Sequence, residues 1–271
     1  MRVRKAHLFD WPAIDALIRR ARFVSPTLWQ WEAHLADEGF LVIEVEGGIE
    51  GALLVTADAS SVGWMRLAAV GNDLDVGKWL DISLPPLLGD LGILGVEEVA
   101  WMDHGGWAGP YLRERGFRPL TEVITLIKTD RSMPQVVAPP VILRPAGEAD
   151  FAALAAIDRK AFTPTWWRSE ASMERRAATA CRFIVAERGD EPIGYVEREL
   201  HLPTAHINRI AVDPGHQGQG IGALLLKHAL ISMWRGGAEA VSLNTQQSNY
   251  RSRRLYDRFG FAATGNSVIV W

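Results

Sequence analysis

The sequence predicts an α/β (α+β) fold made of two tandem domains, each with a mixed, partly antiparallel sheet flanked by helices. Two observations support this prediction: an internal repeat, and the order of strand and helix signals within the second half of the chain. The chain has 271 residues, with 48% apolar and 23% charged side chains. This composition is typical of a globular protein long enough for two domains.

The internal repeat consists of matching segments that occur in the same order in both halves. Residues 40–51 (FLVIEVEGGIEG) match 183–194 (FIVAERGDEPIG) at an offset of 143, and 111–117 (YLRERGF) match 255–261 (LYDRFGF) at an offset of 144. These offsets are far longer than the period of about 20 to 50 residues that solenoid repeats show. The repeat therefore predicts two copies of one domain.

The segment between the copies sets the predicted domain limits. Residues 129–140 (TDRSMPQVVAPP) are polar and contain three prolines, which is typical of a linker. We therefore predict one domain at 1–130 and a second domain at 139–271.

The second copy carries signals for the element order β-α-α-β-β-β-α-β-α-β-β. Apolar residues at helical spacing, such as Phe151 and Ile157, predict its first helix, and a GDEP turn at 189–192 predicts a strand hairpin. Strand, helix and strand signals from 206 to 244 imply a parallel crossover. The last residues, 260–271 (GFAATGNSVIVW), predict a closing hairpin.

Charge and cysteine content exclude several classes of protein. The net charge of -3 gives no general attraction to nucleic acid or to a membrane surface. A single cysteine, Cys181, excludes a disulfide framework or a cysteine-rich zinc site, and no apolar run is long enough to cross a bilayer. We expect a cytoplasmic protein that binds neither nucleic acid nor membrane and holds no metal.

A glycine-rich loop, within residues 212–230 (VDPGHQGQGIGALLLKHAL), leads directly into a predicted helix. The first amides of a helix have no intrahelical partner and attract anions, so a phosphate group is the natural ligand. The loop lacks the Gly-Lys-Ser/Thr ending of a P-loop. It also lies late in its domain, and the next strand ends in Asn244-Thr245, with no acidic residue there to bind a ribose, unlike a dinucleotide-binding fold. A glycine turn that only packs tightly is the alternative.

Two motifs of the second copy resemble those of the GNAT N-acetyltransferase superfamily. Gln217, Gly220 and Gly222 match its Arg/Gln-x-x-Gly-x-Gly/Ala loop, and residues 249–261 (NYRSRRLYDRFGF) match its following motif at every fixed position. The resemblance covers about residues 139–271 and implies that acetyl-CoA binds with its pyrophosphate on the loop amides. It implies a cofactor-binding set of Ile210, Ala211, Val212, Gln217, Gly218, Gln219, Gly220, Ile221, Gly222, Asn249 and Ser252.

The resemblance also implies direct attack of a primary amine on acetyl-CoA. Tyr256 matches the family's tyrosine, which gives a proton or hydrogen bond to the CoA sulfur; a phenol, with a pKa of about 10, is a suitable weak acid. The amide of Val212 would stabilise the developing oxyanion. The alternatives are a tyrosine that only packs on the sheet and, for Asn249, an N-cap of the last helix.

The general base is left open by the sequence. Some relatives carry a glutamate where this chain has Asn244, which cannot accept a proton. His206 and Glu199 are candidate catalytic bases, and Glu197, two residues from Glu199 on the same strand face, is a further candidate and a predicted substrate-binding residue. A solvated strand face, a satisfied histidine and relay through water are alternatives.

The acceptor is predicted only as an amine, on a small molecule or a peptide. Trp166 and Trp167 fall between the first two helices, where relatives wall the acceptor pocket; core packing is the alternative. Arg253 and Arg254 could reach the CoA phosphates, with a solvated helix face as the alternative. The protein is expected to be a monomer or a homodimer.

The first copy lacks these chemical groups. Aligned by the repeat, the residues that fall on Gln217, Gly218, Gly220, Gly222 and Tyr256 are Leu74, Asp75, Gly77, Trp79 and Leu112. An acidic side chain would repel a pyrophosphate, and an indole would fill its space. We therefore expect a degenerate first domain that supports the second. A non-catalytic CoA-binding or protein-interaction module is the alternative for the whole protein.

Overall fold

The computed structural model describes residues 1–26, 31–58, 60–137, 140–179 and 181–271. These residues form two compact units: unit 1 is Met1–Thr121 with Val268–Trp271, and unit 2 is Glu122–Ser267. Each unit contains a mixed sheet flanked by helices, so the predicted fold class is confirmed. Residue 139, where the second domain is predicted to begin, lies outside the described residues.

Unit 1 contains the six-stranded sheet and three helices. Its strands are β1 (Arg2–Lys5), β2 (Phe23–Pro26), β3 (Phe40–Val45), β4 (Gly48–Ala57), β5 (Val62–Val70) and β6 (Glu98–Ala100), and its helices are α1 (Trp11–Arg20), α2 (Val76–Ile93) and α3 (Gly109–Glu114). The strand order is β1-β3-β4-β5-β2, and β6 pairs with β5 in parallel. The outer edge of β5 is therefore shared by two strands.

The core of unit 1 is rich in tryptophan. Trp79 on α2 is fully buried, and its ring meets that of Trp101 edge-on at a centroid distance of 6.3 Å. Trp101 in turn meets Trp107 at 5.6 Å, and Trp271 is buried in the same cluster. These indoles fill one side of the sheet, while Ile14 and Leu17 of α1 pack on the other side.

Unit 2 contains most of the second, seven-stranded sheet and four helices. Its strands are β7 (Thr121–Lys128), β8 (Ile142–Pro145), β9 (Arg182–Arg188), β10 (Glu191–His201), β11 (Thr204–Val212), β12 (Ala240–Gln246) and β13 (Ala262–Val270), and its helices are α4 (Phe151–Ala161), α5 (Glu170–Ala177), α6 (Ile221–Arg235) and α7 (Tyr250–Arg258). The strand order is β13-β7-β12-β11-β10-β9-β8. The predicted element order is confirmed as far as α7, and so is the parallel crossover from β11 through α6 to β12.

The predicted closing hairpin is wrong. Residues 262–270 form one strand, and the turn signal around Gly265 is absorbed within it at a φ of +85°. The neighbouring position in the sheet is taken by β7, which lies between β12 and β13. Consequently β7 lies almost wholly in unit 2, and the last four residues of the chain belong to unit 1. The compact units therefore differ from the predicted domains at these two strands.

Two features of unit 2 position the candidate site. The register of β10 and β11 shifts after the pair Glu197 and Arg209, because Asn208 is an extra residue in β11. Helix α6 buries its apolar side against one sheet face, and α4 and α5 cover the other face. Within the described ranges, no helix combines the length and apolar character needed to cross a bilayer.

Candidate active site

Near the centre of the second sheet, one strand edge has no strand partner in the part of the chain that the structure describes. β11 pairs in parallel with β12 only from Thr204 to Ile207, while β12 continues alongside β7. Residues 208–212 of β11 therefore have β10 on one side and, among the described residues, no strand on the other. The two parallel strands thus separate at this point, and an extended ligand could pair with the exposed edge.

The amide of Val212 faces this edge. The next amide, that of Asp213, donates to the carbonyl of Ile193 at 2.9 Å, on the β10 side. Because successive backbone amides of a strand point to opposite edges, the Val212 amide points away from β10. This is the donor that the resemblance predicts for an oxyanion.

The glycine loop follows directly and presents a row of amides that have no acceptor among the described residues. Gly218 and Gly220 adopt φ values of +82° and +85°, which favour glycine, and Gly220 is the N-cap of α6. No described residue accepts a hydrogen bond from the amides of 218–222, whereas that of Gln217 donates to Pro214 O at 3.3 Å. Free amides at a helix N-terminus fit a diphosphate.

Side chains hold the loop in place. Gln217 Nε2 donates to Val212 O at 2.9 Å, and its Oε1 accepts from Arg251. Gln219 Oε1 accepts from Arg188 at 3.0 Å. Arg251 was not identified from the sequence, which singled out Arg253 and Arg254; Arg253 instead donates to Gln247 O at 3.0 Å. To choose Arg251 over Arg253 and Arg254, one would have needed to know which face of α7 meets the loop.

Tyr256 lies in the core beside α6. Its side chain is 8% exposed, and burial raises its pKa to about 12, while a hydrogen bond with Ser252 lowers it. The hydroxyl is therefore protonated at neutral pH. Asn249 caps α7 by accepting from Ser252 N at 3.1 Å, as the alternative interpretation expects. Only its carbonyl oxygen is used in this contact, so the cap is compatible with a ligand on Nδ2.

His206 and Glu199 lie opposite each other on β11 and β10. Burial lowers the pKa of His206, while the nearby Glu199 charge raises it. The Nδ1 atom of His206 is 2.8 Å from Ser242 Oγ, and Nε2 is the ring nitrogen that takes no part in this contact. Asn244, two residues beyond Ser242, accepts from Thr125 Oγ1 at 3.0 Å.

Glu197 and Glu199 lie on one side of the sheet, as predicted, but in different surroundings. Glu197 is fully buried, with one oxygen bound by Arg168 and the other by Arg176. Its carboxylate is therefore neutralised, which argues against both a solvated face and direct substrate binding. Glu199 Oε2 lies 3.5 Å from Cys181 Sγ, which burial leaves with a raised pKa.

The predicted acceptor wall lies between α4 and α5. Trp166 and Trp167 are both partly buried, and Trp167 Nε1 donates to Phe162 O at 2.9 Å. Trp166 offers its backbone carbonyl to Arg209. Within the described part of the chain, no group of three His, Cys, Asp or Glu side chains could hold a metal ion.

Known proteins resemble both the sequence and the fold. Residues 151–261 match the Acetyltransferase (GNAT) family. The chain is 23% identical over 259 residues to the mycothiol acetyltransferase of Brachybacterium faecium, which covers 94% of this chain and 62% of the relative. It is 32% identical over 87 residues to the peptidyl-lysine N-acetyltransferase YjaB of Salmonella typhimurium, covering 32% and 54%. The chain thus spans less than two thirds of the length of these relatives.

Solved structures share the fold over almost the whole length of the chain. A tandem GNAT protein from the clavulanic acid biosynthesis pathway covers 100% of this chain and 97% of its own, with a TM-score of 0.66 and 13% identity. A GCN5-related N-acetyltransferase from Sphaerobacter thermophilus covers 99% and 94%, with a TM-score of 0.64 and 16% identity. At such identities the likeness concerns the fold alone.

Two mixed sheets in one chain, one of them with a separated strand pair beside a glycine loop, define a tandem acyltransferase fold. The family match lies within the second copy. Residues 151–261 are thus similar to the Acetyltransferase (GNAT) family, and the fold along the whole chain is similar to that of a tandem GNAT protein.

Proposed function

We propose that residues 139–271 form an N-acetyltransferase that moves the acetyl group of acetyl-CoA to a primary amine. The observation that carries this proposal is that the exposed edge at 208–212 leads directly into the free amides of 218–222. The pantetheine amides can pair with a strand edge, and a diphosphate can accept from the helix amides. Acetyl-CoA, when bound, supplies the activated acyl group.

The residues around the edge divide the proton transfers between them. The protonated Tyr256 hydroxyl donates to the departing thiolate, and the Val212 amide donates to the oxygen of the attacked carbonyl. His206, whose pKa is lowered by burial, accepts the proton of the amine through bridging water, because it lies six residues before Val212 on β11 and cannot reach the attacked carbonyl directly. Glu199, opposite His206, stabilises the imidazolium that results.

The acceptor is proposed to be a small-molecule or peptide amine, with Trp166 and Trp167 forming one wall of its site. The relatives carry names that refer to mycothiol and to peptidyl lysine, which are chemically different compounds. The proposal therefore includes the amine group and not the rest of the acceptor. It also includes a cytoplasmic location and a monomeric or homodimeric state.

Calorimetric titration with acetyl-CoA tests the cofactor site. The double variant Gly218→Ala/Gly220→Ala strains two positions of positive φ and disturbs the amide row. We expect its affinity to fall about a hundredfold, since two charge-assisted hydrogen bonds are lost. The matched control is Gly89→Ala/Gly92→Ala on α2, where an added Cβ meets no atom within 4 Å. Equal affinity in the glycine-loop variant and the wild type would contradict the proposal.

A panel of amines tests catalysis separately. Thiol release from acetyl-CoA is measured with polyamines, amino acids, aminoglycosides and peptides as acceptors. We expect at least one amine to accelerate release in the wild type. Binding of acetyl-CoA without release for any amine would favour the non-catalytic CoA-binding module instead.

A further inference from the structure

A buried carboxylate joins three elements of unit 2. Asp158 on α4 is fully buried and accepts four hydrogen bonds. Its donors are Arg168 N at 2.9 Å, Tyr195 Oη at 2.6 Å, and Arg209 Nε and Nη2 at 2.6 and 3.1 Å. Burial raises the pKa of Tyr195, so its hydroxyl remains a donor. Each oxygen of the carboxylate is therefore satisfied twice, which is what a buried charge requires.

Arg209 extends this network to the segment that follows α4. Its Nη2 donates to Trp166 O, and its Cζ lies 3.8 Å from the ring centroid of Phe162. Arg209 is also the residue directly before Ile210 on the exposed edge. The segment 162–167 is thus fixed to a side chain on the sheet face and forms a short 3-10 turn, Pro164–Trp166, instead of a strand.

Unit 1 has apolar residues at the equivalent positions. When the first helix of each unit is aligned at its N-cap, Asp10 or Asp150, Ile18 corresponds to Asp158. When the strand pairs β4–β5 and β10–β11 are aligned by their registers, Ala52 corresponds to Tyr195 and Leu67 to Arg209. All three pack in one hydrophobic cluster. The fold therefore accepts an apolar core here, so the polar network of unit 2 is not a requirement for folding.

The same comparison shows what happens without the network. In unit 1 the segment after α1 forms β2, which pairs with residues 67–70 of β5 and covers that edge. The counterpart of this edge in unit 2 is 209–212, which has no strand partner within the described residues. The edge is covered where the network is absent and exposed where it is present.

We infer that Asp158, acting through Arg209, is a positioning residue that holds segment 162–167 over the sheet face and away from the edge at 209–212. The edge thereby stays accessible to the extended arm of CoA. This inference rests on the proposed function for the identity of the ligand. Its geometric content, an edge kept free by a buried ion pair, is independent of catalysis.

The test replaces the network by apolar residues of similar volume. Asp158→Ile/Tyr195→Phe/Arg209→Leu copies the character of unit 1 and leaves none of the three side chains with an unpaired polar group. Such replacements of buried ion pairs are often neutral or stabilising, so we expect the variant to fold. Asp158→Asn is the second variant. The matched control is Asp150→Asn, which breaks another buried carboxylate–arginine pair of unit 2, with Arg144.

Two measurements on the full chain follow for each variant. Calorimetric titration with CoA is expected to show about a tenfold weaker affinity in the triple variant and in Asp158→Asn, with the control unchanged. Hydrogen exchange is expected to show new protection of the amides of Ile210 and Val212 in the triple variant, because segment 162–167 then pairs with the edge. A role in stability alone would not increase protection at this edge.

The outcomes separate the two proposals. If the wild type does not bind CoA, the proposed function fails, and the exchange of the edge amides still tests the positioning role. If the wild type binds CoA and the folded triple variant binds it equally, with unchanged exchange at 210–212, the positioning role of Asp158 is overturned.

Discussion

The two units differ in how far neighbouring strands cover the corresponding edges of β5 and β11. In unit 1, β6 covers residues 62–64 of β5 and β2 covers residues 67–70. In unit 2, β12 covers residues 204–207 of β11, and no described strand covers 208–212. The topology up to this point is shared, so the difference between the units comes from the segment after the first helix and not from the sheet.

The loop that follows this edge differs in length. Five residues, 71–75, separate β5 from α2, whereas eight residues, 213–220, separate β11 from α6. In unit 1 the Asp75 carboxylate accepts from Lys78 N at 2.9 Å and caps the helix. The amides that an external anion could bind in unit 2 are therefore partly satisfied from within in unit 1.

This comparison corrects the predicted alignment of the copies. Trp79 does not stand in place of Gly222: it is the fourth residue of α2, whereas Gly222 is the second residue of α6. Its indole lies against Gly51, where an added Cβ would be 2.8 Å from the ring. A shorter loop and an internal cap, instead of a bulky residue, distinguish unit 1.

The largest effect is expected from Tyr256→Phe. Loss of the proton donor should lower kcat about a thousandfold while the affinity for acetyl-CoA stays within about twofold. Single-turnover thiol release and calorimetry measure the two quantities. The control is Tyr111→Phe on α3, next to Leu112, which occupies the tyrosine position in unit 1. An unchanged kcat would remove Tyr256 from the mechanism and leave the cofactor site intact.

Trp79→Ala tests whether unit 1 is structural. Removal of a fully buried indole should lower the free energy of unfolding by about 3–5 kcal/mol. Because β2 still covers the edge and the loop is still short, we expect one bound acetyl-CoA per chain in both the variant and the wild type. Chemical denaturation and the calorimetric stoichiometry check these values. A second bound acetyl-CoA in the variant would show that the indole alone blocks unit 1.

His206→Gln tests the base. Burial lowers the pKa of His206 below its ordinary value of about 6.5. Because a general base is active when unprotonated, the rise of kcat/KM with pH that is due to His206 should occur below about pH 6.5. The variant should lose this limb and about a hundredfold in rate at neutral pH. The limb due to the amine itself is common to both proteins. His228→Gln on α6 is the control, and a limb that survives in His206→Gln would indicate another base.

The sequence predicted what depends on local pattern. The repeat, the glycine loop and the order of elements in unit 2 followed from spacing, because backbone conformation and helix periodicity are local properties. The closing hairpin was mispredicted because the partner of β13 is β7, a strand from more than 130 positions earlier in the chain. Strand pairing at such a separation has no local signal.

The sequence carried more information about the backbone of the candidate site than about its side-chain contacts. The proposed roles of Gly218 and Gly220 depend on φ values that the glycines themselves favour. By contrast, Glu197 was predicted to be a candidate base and a substrate-binding residue, with a solvated strand face as the alternative, and only tertiary packing brings two arginines to it. Asp158 and Arg209 are 51 positions apart, so their ion pair could not be recognised from spacing.

The smallest predicted effects concern the free energy of unfolding and should be the same in both units. They come from an arginine–carboxylate cluster that both units retain. Arg4 binds Asp10 and Glu44 in unit 1 as Arg144 binds Asp150 and Glu187 in unit 2. Hydrogen bonding to arginine lowers the pKa of both aspartates. Each pair therefore stabilises the fold above the unfolded pKa of about 4, and this stability is lost as pH falls through the lower folded pKa.

Asp10→Asn and Asp150→Asn should each lower the free energy of unfolding at pH 7 by about 1.5–3 kcal/mol, the contribution of hydrogen bonds between charged groups. The deficit should shrink toward pH 3, because the wild-type carboxylates then become protonated and lose the same interactions. Denaturant unfolding at both pH values measures this change. A deficit in only one unit would mean that the two copies no longer share this part of the fold, and that their difference extends beyond the strand edge and the loop beside it.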